Sequence, residues 1–166
     1  MILSKKEILD EIIKNKLVEN AVDLKQQVQP ASLDLTLNKV FEIETKGVID
    51  FDNSEREVSE TREIPFENDW VDLEPGIYKV SFNEAIKLTP EIAGITAPRS
   101  SLSRSGCFVE VGFWDPGYHG KGESTLVVGG KGLRLKKNAK IAQMIFFKLS
   151  EQALDLYSGI HNKEGL

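Results

Sequence analysis

The chain has 166 residues, 40% of them hydrophobic and 28% charged, with a formal net charge of −5. That length serves one domain with a real core, and the negative balance argues against a general nucleic-acid binder. The single cysteine, Cys107, excludes an internal disulfide, which fits a reducing cytoplasm, and no apolar run is long enough for a membrane span or signal peptide.

Residues 3–20 read as a helix. Ser4 and Glu7 form a Ser-x-x-Glu capping box, and Leu3 with Ile8 suits a hydrophobic staple. Ile8, Leu9, Ile12, Ile13 and Leu17 fall on one stripe at helical spacing, and Asn20 marks the stop. From Ala31 the period changes to two. Ala31, Leu33, Leu35 and Leu37 alternate with Ser32, Asp34, Thr36 and Asn38, which predicts a half-buried strand with Asp34 on its polar face.

Between Glu42 and Glu74 stand twelve acidic and three basic residues, against fourteen and eighteen in the rest. This stretch reads as a solvated surface excursion, with short β-like runs at residues 41–43 and 47–51 whose path stays open. The remaining sequence is net positive and can host an anion. Glu74-Pro75-Gly76 is a turn, after which Ile77, Val80 and Phe82 begin another strand. Pro90 and Gly94 punctuate next. Residues 126–128, 133–135 and 141–149 supply further strands, with Gly129-Gly130 as a turn. One capped helix followed by many short strands predicts a mainly antiparallel barrel or distorted sandwich.

Two polar clusters flank the middle of the second half. Pro98-Arg99-Ser100-Ser101-Leu102-Ser103-Arg104-Ser105-Gly106 holds two arginines and four hydroxyls. Planar guanidinium forks and hydroxyl donors suit phosphate oxygens. Gly112-Phe113-Trp114-Asp115-Pro116-Gly117-Tyr118-His119-Gly120 places a carboxylate beside a Pro-Gly turn and a ring three residues beyond. On the residues alone, Asp115 reads as a turn cap, Asp34 as a solvated carboxylate and His119 as a bystander, and each arginine can be a surface ion pair.

The spacing Gly-x-x-Asp-x-x-Tyr-x-Gly, from Gly112 to Gly120, follows the arginine–serine cluster. Gln29-Pro30-Ala31-Ser32-Leu33-Asp34-Leu35 stands upstream of both and Lys140-Ile141-Ala142-Gln143 downstream. In that order the set resembles the motifs of the deoxyuridine triphosphatase and dCTP deaminase superfamily. Tyr157-Ser158-Gly159, with Lys163 and Gly165, resembles the tail of its deaminase-like branch. The resemblance implies one domain over residues 1–166, with a helix in residues 1–20 and a β-clip, jelly-roll-like distorted barrel. It implies a cytoplasmic homotrimer with sites between subunits and no membrane or nucleic-acid partner.

By the same resemblance, Asp115 activates a water, while Arg99, Ser100, Ser101, Arg104 and Gln143 contact the phosphates of dUTP. Gly112, in a hairpin spanning residues 107–114, helps to recognise uracil through its backbone, and Tyr118 packs against deoxyribose. Asp34 supports a magnesium ion through water, with Mg2+ as the implied cofactor. Tyr157 and Lys163 belong to an arm, residues 150–166, that closes as a mobile lid.

Deamination would need a glutamate five residues beyond the Tyr-x-Gly glycine. Counting from Gly120 gives Thr125, which can hydrogen-bond a base but cannot shuttle protons. Glu123 lies on the same strand face, one step out of register. The resemblance therefore implies a dUTP diphosphatase of the archaeal, deaminase-like type. The alternatives are a dCTP deaminase, alone or bifunctional, using Glu123, and a non-catalytic nucleotide sensor on the same fold.

Overall fold

A computed structural model describes the whole chain, Met1–Leu166. It begins with helix α1 (Lys5–Asn15), whose capping box forms as the sequence specifies: Ser4 accepts from the Glu7 N–H while Glu7 accepts from the Ser4 N–H. The helix is shorter than the expected residues 3–20. Lys16 closes it in a left-handed conformation (φ 56°), donating to the Glu11 and Ile12 carbonyls. The reason is tertiary. Val18 and Glu19 form strand β1 and pair with Ile86 and Ala85, so the chain must leave the helix before Asn20. The apolar stripe splits accordingly: Ile8 and Leu17 are buried, whereas Leu9 and Ile13 are exposed.

A short helix α2 (Leu24–Gln27) leads into β2 (Leu33–Ile43). The expected half-buried alternation is not what forms here, because Leu33 through Leu37 are all buried. β2 is a central strand, and its polar face meets other polar groups instead of water. The acidic excursion then follows. β3 (Thr61–Ile64) pairs back onto the end of β2, and a bridge between Val48 and Glu57 holds the exposed loop between them. The surface reading of this stretch holds; its carboxylates meet exposed ion pairs such as Glu44–Arg62 and Glu63–Lys39.

The remaining elements are β4 (Trp70–Leu73), β5 (Gly76–Lys87), β6 (Ile92–Pro98), helix α3 (Ser100–Arg104), β7 (Cys107–Val109), β8 (Phe113–Trp114), β9 (His119–Val128), β10 (Leu133–Lys136) and β11 (Lys140–Lys148). Gly94 does not punctuate but sits inside β6, where a Cβ would meet the Met144 sulfur at 2.8 Å. The main sheet runs β7-β9-β5-β2-β11-β6-β8, while β4 and β10 form a separate ribbon. β7 and β8 do not form the expected hairpin. They lie at opposite edges of the sheet although only residues 110–112 separate them, so the sheet curls until its edges nearly meet. The result is the mainly β, barrel-like antiparallel architecture, filled by Leu33, Leu35, Leu37, Phe82, Leu126 and Phe146. No helix is long and apolar enough to cross a membrane.

Candidate active site

The curled sheet presents two chemically different regions. The first is built on three adjacent central strands. Asp34 of β2 stands opposite Gln143 of β11, which stands opposite Ala97 of β6. Two residues past Ala97 the chain reaches Arg99, the N-cap of α3. The Asp34 side chain is only 2% exposed, with Arg99 Nη1 at 3.4 Å and Lys140 Nζ at 3.3 Å from its Oδ2. Gln29 Nε2 also donates to that oxygen at 3.2 Å. A buried carboxylate needs such company, since an unpaired one would carry a large desolvation cost. Asp34 thus fixes two cations beside the half-buried Gln143. Ser100 and Ser101 follow on the exposed start of α3, and Arg104, at its far end, is exposed without an ion-pair partner in this chain.

The Arg99, Lys140 and Gln29 contacts all fall on Oδ2 of Asp34, which ties that oxygen to two cations and an amide instead of a metal. No cluster of three or more acidic, histidine or cysteine side chains could hold one elsewhere either. The residues present suit phosphate oxygens and do not fit a resident magnesium.

The second region is a cavity of about 250 Å³ where β8 and β9 meet the tail. Asp115-Pro116-Gly117-Tyr118 closes as a turn, with the Tyr118 N–H donating to the Asp115 carbonyl at 3.2 Å. Gly117 takes φ +86°, the left-handed position that a type II turn reserves for glycine after proline. Asp115 does not cap this turn with its side chain. Its carboxylate is exposed on the cavity wall and has no hydrogen-bond or ion-pair partner. Gly112 lines the same cavity, its N–H donating to Thr96 Oγ1 at 2.8 Å and its carbonyl accepting from the Thr96 N–H at 2.9 Å.

Tyr118 also lines the cavity, but it is 7% exposed, with Trp114 edge-on at 4.9 Å and Tyr157 tilted against it at 5.5 Å. Burial pushes its phenol well up from the usual tyrosine range, and Glu164, Tyr157 and Glu123 add to that. A Cβ at Gly122 would collide with the Trp114 indole, so this glycine permits the ring stack. Glu123 lines the cavity and pairs with Lys79 at 2.8 Å, whereas Thr125 does not reach it.

The tail is seated on its own chain. The Tyr157 N–H donates to the Pro116 carbonyl at 2.8 Å, the Lys163 N–H to that of His119 at 2.6 Å, and the Lys121 N–H to that of Glu164 at 2.8 Å. Tyr157 joins the cavity as expected. Lys163 does not: it is exposed, and His161 and Glu164 line the cavity in its place. The left-handed φ of Lys163 (66°) marks the bend that lets Glu164 turn inward. His119 does not line the cavity; its Nε2 lies 2.8 Å from Glu19 of β1.

The structure therefore gathers Gly112, Asp115, Tyr118 and Tyr157 in one place, and Asp34, Arg99 and Gln143 in another. None of Arg99, Ser100, Ser101, Arg104 or Gln143 lines the cavity of the same chain. Sequence reasoning missed Lys140 as a clamp on Asp34, though the signal was there, two residues before Ala142 in the stretch already singled out. It also missed the packing role of Trp114, although that residue lies within the Gly112–Gly120 stretch, and Glu164, for which no local signal existed.

A family described as dCTP deaminase-like matches residues 2–149. A protein of Methanosarcina acetivorans named as a probable deoxyuridine 5'-triphosphate nucleotidohydrolase is 48% identical over 150 residues, covering 89% of this chain and 88% of that protein. One of Methanococcoides burtonii with the same name is 40% identical over 99% of both chains. The crystal structure of a 2'-deoxycytidine 5'-triphosphate deaminase from Agrobacterium tumefaciens superposes with a TM-score of 0.69 at 21% identity. It covers 87% of this chain, which spans 47% of that chain's length.

Proposed function

We propose how this chain, which belongs to the dCTP deaminase-like family and hydrolyses dUTP, carries out that reaction. Water attacks the α-phosphorus in line with the bond to the β-phosphate, that bond breaks, and dUMP and pyrophosphate leave. Asp115 orients the water and accepts its proton. The observation that carries this role is the free carboxylate of Asp115, exposed on the cavity wall beside Tyr118 and Gly112. A carboxylate is a weak base at neutral pH, so positioning contributes as much as proton removal.

Arg99, Ser100, Ser101 and Gln143 bind the phosphates, with Lys140 added to the expected set and Arg104 at their rim. Charge spread over the transferring phosphoryl oxygens calls for such fixed donors. Magnesium would come as the counterion of the triphosphate, neutralising phosphate charge, with the phosphates as its main ligands. Gly112, whose N–H and carbonyl are already bonded to Thr96, borders the uracil pocket by lacking a side chain instead of reading the base through its backbone, and Tyr118 with Tyr157 encloses the deoxyribose. The phosphate-binding residues do not line the cavity of their own chain, which supports sites shared between subunits of a homo-oligomer, which we take to be a homotrimer, with one subunit's cations completing another subunit's cavity. A reducing cytoplasm is the compartment we infer, with Cys107 buried and unpaired.

A second reading has one observation in its favour. Glu123, not Thr125, lines the cavity, which keeps deamination of dCTP open as an added activity. Incubation with dUTP and dCTP separately, with magnesium and chromatographic resolution of products, tests both. dUMP from dUTP, with dCTP untouched, is the expected result. Uracil nucleotides formed from dCTP would establish deamination, and binding of dUTP without turnover would establish a sensor.

A further inference from the structure

Glu84 is the most deeply buried charged side chain of the protein, at 0% exposure, and no arginine, lysine or histidine pairs with it. It lies where β5 departs from its neighbours. Between Ser81 and Ala85 the register against β9 shifts, so that four steps along β5 span two along β9. On the other side, the ladder between β2 and β5 reaches Leu37↔Phe82 and goes no further toward Asp34.

At that point the carboxylate of Glu84 takes over from the backbone. Oε2 accepts from the Thr36 N–H at 2.9 Å, and Oε1 accepts from the Thr36 hydroxyl at 2.5 Å. Gln27 Nε2 donates both to Glu84 Oε1 at 2.7 Å and to the Asp34 carbonyl at 2.9 Å. Three donors on one acceptor-only group suit the ionised form. A buried carboxylate with no cation is nevertheless a poor way to gain stability alone.

We propose that Glu84 is a positioning residue for the phosphate end of the site, acting through Gln27 and Thr36 on Asp34. Its bonds fix β2 at Asp34 and just beyond it: the Asp34 carbonyl is held directly by Gln27, and Thr36 lies two residues further on. Asp34 then sets the Arg99 guanidinium and the Lys140 ammonium. Charge-assisted, geometrically fixed donors contribute most when they are held before the ligand arrives. The proposal deepens the reading of Arg99 and Lys140 as phosphate ligands and rests on it.

The test measures binding of pyrophosphate, which occupies only the phosphate end, and of deoxyuridine, which occupies only the cavity. Glu84→Gln and Gln27→Leu each break the link while leaving Asp34 in place. Each is expected to weaken pyrophosphate binding about tenfold, the effect of roughly 1.4 kcal/mol, with deoxyuridine binding unchanged. If Glu84→Gln does not fold, Gln27→Leu carries the test alone. Combining either with Asp34→Asn should add little further loss, because the two act in series. Variants that melt earlier yet bind pyrophosphate as the wild type does would reduce Glu84 to a structural role and overturn the proposal. Wild-type protein that bound pyrophosphate without cleaving dUTP would instead count against the proposed function, while the variants' pyrophosphate binding would still decide the role of Glu84.

Discussion

Asp34 and Asp115 are the same side chain in opposite circumstances. Asp34 is buried on a central strand with Arg99, Lys140 and Gln29 within hydrogen-bonding or ion-pair reach. Asp115 stands on a surface turn at the cavity wall with no partner. The first has Oδ2 committed to two cations and an amide; the second has no protein partner and is free for substrate and water. Surroundings, more than residue type, assign one to positioning and the other to chemistry.

The largest effect should come from Asp115→Asn. Removing the general base should lower turnover by about 10²–10⁴-fold, read by steady-state kinetics, while thermal stability stays near that of the wild type because the carboxylate has no partner to lose. Asp34→Asn should do the reverse. Breaking a buried ion pair from one side costs about 3–5 kcal/mol; partial exposure of Arg99 and Lys140 brings the expectation to the lower end or below. Denaturant unfolding should show that loss, together with a raised KM for dUTP.

Removal of residues 157–166 should lower turnover about tenfold or less, an effect on closure and not on chemistry, and leave the barrel folded by circular dichroism. Full activity in the shortened protein would remove the tail from the site. The smallest expected effect concerns Tyr118. Its phenol is held neutral by burial, so its folded-state pKa lies above the unfolded value of about 10. The corresponding stability is present below that pH and is lost as pH rises through the folded-state value, because only the unfolded chain releases the proton. Tyr118→Phe should flatten this alkaline decline in melting temperature measured from pH 9 upward, roughly the foot of the tyrosine range.

Much of this was legible in the chain. The capping box of Ser4 and Glu7 is local chemistry and forms as written. The Asp-Pro-Gly turn is equally local, so the placement of Asp115 followed from residues 115–118. Longer-range facts were not. Period two at residues 31–38 cannot distinguish a strand with one wet face from a central strand whose polar face meets a buried network. That network depends on Gln27 and Glu84, distant in sequence. Lys16 ends α1 because β1 must reach β5, a tertiary demand that no helical propensity reveals. Residues 107–114 look like a hairpin because they are short and strand-like; only the closing curl of the sheet sends β7 and β8 to opposite edges. The resemblance places Lys163 in the closing arm, whereas in the structure it is exposed and Glu164 lines the cavity.

The most direct measurement places Asp115→Asn and Asp34→Asn side by side, with dUTP affinity determined by equilibrium binding and cleavage of bound dUTP by single-turnover kinetics. Asp115→Asn should bind as the wild type does and cleave poorly, and Asp34→Asn should bind poorly and cleave what it binds at close to the wild-type rate. Equal losses of binding and cleavage in both variants would contradict the division between a holding carboxylate and a reacting one.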